Sequence, residues 1–77
     1  MVDVTRLVIH YVGMNGKSYV KKVKPTDKTS VLRIKHDLAI ALQKIKDKVD
    51  YYYVVMEVNT DDGPKFRTIV GKTFING

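Results

Sequence analysis

Residues 30–49 constrain the fold more than any other part of the chain. They read Ser-Val-Leu-Arg-Ile-Lys-His-Asp-Leu-Ala-Ile-Ala-Leu-Gln-Lys-Ile-Lys-Asp-Lys-Val. Val31, Ile34, Leu38, Ala41, Leu42, Ile45 and Val49 recur at steps of three and four, which places them on one stripe of a helix. No Gly or Pro interrupts the run before Asp50. Thr29 or Ser30 offers a hydroxyl to an orphan N–H at the start. Lys44, Lys46 and Lys48 set cations against the negative end of the helix dipole. A lone helix with one apolar stripe needs a sheet to bury it, so the two ends of the chain must supply strands.

They have the composition to do so. Residues 4–12 are rich in β-branched and aromatic side chains and predict a strand. Alternation puts Thr5, Leu7, Ile9 and Tyr11 on one face and Val4, Arg6, Val8, His10 and Val12 on the other. Asn15-Gly16 marks a hairpin, since both residues tolerate the positive φ of a type I′ turn. Residues 17–24 form the second predicted strand, where Lys17, Lys21, Lys22 and Lys24 mark an exposed edge. Pro25 ends it. Residues 51–59 predict a third strand, with Tyr52, Val54, Met56 and Val58 towards the helix and Tyr51, Tyr53, Val55 and Glu57 away from it. A turn at 60–64 leads into a fourth strand at 65–75, bent at Gly71. There Phe66, Thr68 and Val70 share one face, and Lys65, Arg67 and Ile69 the other.

Two hairpins joined by a crossing helix predict a single α+β domain over residues 1–77, a two-layer ββαββ arrangement with one helix on a four-stranded sheet. This element order resembles the immunoglobulin-binding domains of protein L and protein G. The resemblance implies a β-grasp-like sheet of order 2-1-4-3, with the first and last strands parallel at its centre. A fully antiparallel meander is the alternative. The expected core is Leu7, Ile9, Tyr11, Val31, Ile34, Leu38, Leu42, Ile45, Val54, Met56, Phe66 and Val70.

Composition narrows the functional classes. The chain has 77 residues, 44% of them hydrophobic, which is normal for a globular protein. A domain this small buries only ~60% of the surface its unfolded chain exposes. No apolar run approaches the ~18 residues a membrane span needs. The amino terminus has no signal-peptide pattern, and the chain has no cysteine, which excludes disulfides and thiolate metal sites. The expectation is a cytoplasmic protein. A short, basic, Lys- and Val-rich sequence also suits a phage-derived or an engineered origin.

No catalytic constellation is visible, and no enzyme, cofactor or small-molecule substrate is expected. His10 and His36 stand on different elements, and His36 and Asp37 diverge by about 100° on a helix, which forms no metal site. Gly71-Lys72-Thr73 lacks the earlier glycine and the following helix of a phosphate-binding loop. Asp61-Asp62 offers too few oxygens for calcium, which takes about six to eight.

Charge points elsewhere. Net charge is +6, a bias towards polyanionic partners. The sheet face away from the helix is expected to carry Arg6, His10, Lys22, Lys24, Tyr51, Tyr53, Lys65 and Arg67. Cations interleaved with rings are what a single-stranded nucleic acid requires, for phosphates and for base stacking. A polar outer face is also what any one-layer sheet needs. Val8 and Val12 on that face, with Ile40 on the helix, favour the second reading: a protein-interaction or regulatory module, acting through an edge strand or a homodimer surface.

Overall fold

The computed structural model describes residues 3–27 and 30–75. Among them the elements are β1 (Asp3–Gly13), β2 (Ser18–Val23), α1 (Val31–Ile45), a short 3-10 turn (Lys46–Lys48), β3 (Val49–Thr60) and β4 (Gly63–Phe74). The strands form a four-stranded antiparallel sheet in the order β2-β1-β3-β4, with the helix against one side. The protein is therefore mixed α+β.

The grasp-like order 2-1-4-3 is not the one that forms. The central pair is β1 with β3, and it is antiparallel. Two physical reasons fit. The turn after α1 is only Lys46–Lys48, and the Lys48 carbonyl accepts the Met14 N–H at 2.9 Å, so β3 begins beside the end of β1, Gly13 opposite Val49. A central strand also needs apolar side chains on its covered face. The helix-facing residues of β3 include Tyr52, Val54, Met56 and Val58, whereas the matching partners on β4 are Thr73, Val70, Arg67 and Lys65. The apolar strand takes the centre and the charged one the edge.

The core consists of Val4, Leu7 and Ile9 from β1, Ile34, Leu38, Ala41 and Ile45 from α1, and Val49, Val54 and Val58 from β3. Tyr11, Leu42, Met56 and Val70 pack at its margin, as partly buried residues. Two expected core residues are on the surface: Val31 is 65% exposed and Phe66 is 66% exposed. Val31 lies in the first helical turn, ahead of the first buried position, Ile34. Phe66 pairs with Glu57 on the side of the sheet away from the helix. Val4 moves the other way, from the expected outer face into the core. Val4 lies opposite Val58 and Arg6 opposite Glu57, so Thr5 is an extra residue, and this bulge turns Val4 inward. Val49 is fully buried, but as the first residue of β3 rather than the last of the helix stripe.

Local chemistry fixes the ends. Ser30 caps α1, its Oγ accepting the Arg33 N–H at 3.3 Å; Thr29, the other candidate, lies outside the described residues. The first hairpin does not use a type I′ turn. Only Gly16 has positive φ, 82°; the Gly16 N–H reaches the Gly13 carbonyl, and the Gly13 N–H reaches the Lys17 carbonyl. This is a three-residue loop with glycine in the left-handed position.

Asp37 ties the β2–α1 linker to the helix. Its Oδ2 accepts the Thr26 N–H at 2.9 Å and the Thr26 hydroxyl at 3.0 Å, and Arg33 Nε donates to the same hydroxyl at 3.1 Å. The Thr26 backbone N–H holds the carboxyl below its ordinary value of 3.8; desolvation opposes it, and the Thr26 hydroxyl and the nearby Arg33 and His36 charges add to the lowering. A carboxyl depressed in the folded state adds stability above its unfolded pKa and loses it as pH falls through the folded value. Asp37→Asn is accordingly expected to lower the melting temperature at neutral pH. Its difference from wild type should shrink as pH drops below 3.8, and a difference unchanged by pH would contradict the assignment.

Candidate functional site

The side of the sheet opposite α1 has no second layer among the described residues. Strand pairing assembles it in rows. Arg6, Glu57 and Phe66 form one row; Lys22, Val8, Val55 and Thr68 the next; then Val20, His10 and Tyr53; then Ser18, Val12, Tyr51 and Phe74. Each row is a set of cross-strand neighbours, so side chains far apart in sequence touch.

Two ring clusters result. His10 and Tyr53, on the two central strands, stack with centroids 4.8 Å apart and planes within 8°. Tyr51 and Phe74 lie 5.3 Å apart, and Lys72 Nζ stands 4.3 Å from the Tyr51 centroid and 5.1 Å from that of Phe74. A shallow groove of about 330 Å³ runs along His10, Val12, Val20, Tyr51 and Tyr53. At the other end Arg6, Lys22 and Lys24 line one groove with Thr5 and Val23. Arg6 is not a spare cation: its Nε is 2.7 Å from Glu57 Oε2. That oxygen is buried and has no well-aligned hydrogen bond, so the contact is a charge pairing.

Six of the eight expected binding residues come together around this face: Arg6, His10, Lys22, Lys24, Tyr51 and Tyr53. Lys65 and Arg67 do not. They pair with Val58 and Met56, whose side chains turn towards the helix. The cause lies in β4, where Thr68 pairs with Val55 and Val70 with Val54, leaving Ile69 as an extra residue. Val70 therefore faces the core while Phe66 and Thr68 face away from it. Lys72, Phe74 and Phe66 join the outer face instead, unanticipated from the sequence; the two-residue spacing of Lys72 and Phe74 beyond Gly71 was the available signal. Val8 and Val12 are on the outer face. Ile40 is in the other layer, 43% exposed in a groove with Lys21, Lys24, Asp37 and Lys44, so these three residues form no common interface.

Among the described residues no group of three or more His, Cys, Asp or Glu could hold a metal ion, and no helix is long and apolar enough to cross a membrane. The arrangement offers ring faces, aliphatic patches and peripheral cations, which are means of binding. No protein-family model, curated protein or solved structure matches the chain.

Proposed function

We propose that this protein is a small non-enzymatic binding module whose outer sheet face takes single-stranded nucleic acid. One observation carries the reading: the His10–Tyr53 and Tyr51–Phe74 ring pairs share a face that none of the described residues covers with a second layer, with Lys72 beside one pair and Lys22 and Lys24 at the opposite border. Rings on adjacent strands supply stacking surfaces for successive bases, and flanking ammonium groups supply phosphate contacts. The net charge of +6 draws a polyanion towards it. A cytoplasmic setting belongs to the same reading, in keeping with a chain free of cysteine.

The test is a titration with single- and double-stranded DNA and RNA at two salt concentrations. Single strands should bind more tightly. Their affinity should fall with salt at a log–log slope of about −2, the value for three neutralised phosphates at ~0.7 each. No binding even at low salt would end the proposal.

A second reading rests on Val8, Val12, Val20 and Val55, which interleave with the rings and make much of this face apolar. Such a face also suits a protein partner or a second copy of the chain. Light scattering after size exclusion separates the two: a dimer that dissociates when Val8 and Val55 are both replaced by lysine supports the second reading over the first.

A further inference from the structure

One α-helix is about 10 Å across, whereas four strands spaced about 4.8 Å apart span more than that. Helix α1 cannot cover the whole sheet, and the strand it leaves open is β4. Of its 12 residues, Gly63, Val70 and Thr73 are half-buried and the others are exposed. The opposite edge, β2, is a strand of only 6 residues and lies against the helix, its Lys21 and Val23 sharing a groove with Ile40, Ala41 and Lys44 of α1. On β4 the register with β3 runs unbroken from Gly63 to Thr68. Pro64 closes one end of this stretch and the Ile69 bulge closes the other. Between them, residues 65–68 present a regular edge with no further strand beside it among the described residues.

The chemistry of that edge alternates. Lys65 and Arg67 project to the helix side, and Phe66 and Thr68 to the other. At the other end of β4 a shallow groove of about 320 Å³ runs along Ala39, Leu42, Gln43, Lys46 and Ile75. β4 contains no Asp or Glu, and its third cation is Lys72. The carboxylates nearest to Lys65 in sequence are Asp61 and Asp62, in the turn.

We propose that this edge docks an acidic extended segment of another protein, added antiparallel or parallel as a fifth strand beside β4. The backbone of the segment would continue the sheet, and carboxylates at every second position would meet Lys65 and Arg67. The two-residue repeat of a strand, about 6.8 Å, matches the repeat of those cations. Charge selects this occupant. A second copy of the chain would set the same cations against each other, +6 facing +6. A nucleic acid carries no alternating N–H and C=O groups to extend a β-ladder.

The probe is a labelled, end-blocked ten-residue peptide alternating glutamate and valine, titrated against the whole protein, with amide hydrogen exchange on the complex. Binding is expected, with new protection on β4 and none on β2. The double variant Lys65→Glu/Arg67→Glu should bind at least tenfold more weakly and should instead take up a lysine–valine peptide. Lys21→Glu/Lys44→Glu, with the same change in net charge, should bind the acidic peptide within about threefold of wild type. Both pairs lie on exposed or half-exposed positions, and melts check that the folds persist. Equal loss in the two double variants, or protection on β2 or the outer face, would overturn the proposal. So would a Lys65→Glu/Arg67→Glu variant that loses single-stranded oligonucleotide more than its charge-matched control while binding the peptide as before. Oligonucleotide binding retained alongside peptide loss would uphold it, independently of what the outer face binds.

Discussion

Leu7→Ala is expected to destabilise the protein by ~2–5 kcal/mol, the range for truncating a buried leucine. Leu7 is fully buried at the centre of β1, between Val23 on β2 and Met56 on β3. It belongs to the same cluster as Ile34 and Leu38 of the helix, so the cavity would open where the two layers meet. A domain of this size is held by ~4–12 kcal/mol at ~0.05–0.15 kcal/mol per residue, and the loss is a large part of that. At ~4–8 °C per kcal/mol the melting temperature should fall by about 8 °C or more. Phe66→Ala removes a larger side chain, yet should shift stability by less than ~1 kcal/mol, because Phe66 is 66% exposed on an edge strand. Urea melts of the two variants test the assignment of faces. A Phe66→Ala variant as unstable as Leu7→Ala would mean that β4 is turned over.

The second large effect concerns binding. Base stacking on an aromatic ring is worth ~1–3 kcal/mol per base, so Tyr51→Ala/Tyr53→Ala should cost ~2–6 kcal/mol of single-strand affinity. At tenfold per 1.4 kcal/mol that is a loss of about 30-fold or more. The rings are positioned by neighbours, Tyr53 against His10 and Tyr51 against Phe74 with Lys72 alongside. Tyr51→Phe/Tyr53→Phe preserves the stacking surfaces and should bind nearly as wild type. Phenylalanine variants that fail as badly as the alanine ones would show that the hydroxyls, not the ring faces, make the contact. Melts on the same samples separate lost binding from lost fold, since Tyr51 is only half-buried and Tyr53 is exposed.

The outer-face residues legible in the sequence were those on regular strand. From Arg6 to Val12, β1 pairs with β3 one-for-one, so simple alternation placed Arg6, His10, Val8 and Val12 correctly beside Tyr51, Tyr53 and Val55. Alternation also recognised that Phe66 and Thr68 share a face on β4. It then joined them to Val70, and through Val70 to the core. The extra residue at Ile69 breaks that link, and with it the expected sides of Lys65 and Arg67. The same kind of error, with one extra residue at Thr5, hid Val4.

By itself the sequence determined the amphipathic helix, the two hairpins, the covered face of β3 and that of β1 beyond the Thr5 bulge. These follow from periodicities of 3.6 and 2 that act within a few residues and need no partner. Only the tertiary structure decided which strand lies at the centre, where the bulges fall, and hence which side of the sheet each cation on β4 occupies. Strand order is set by competition between β3 and β4 for the place beside β1, won by the strand with more apolar surface to bury. A bulge exists only relative to the strand it opposes, and one inserted residue reverses every side chain beyond it.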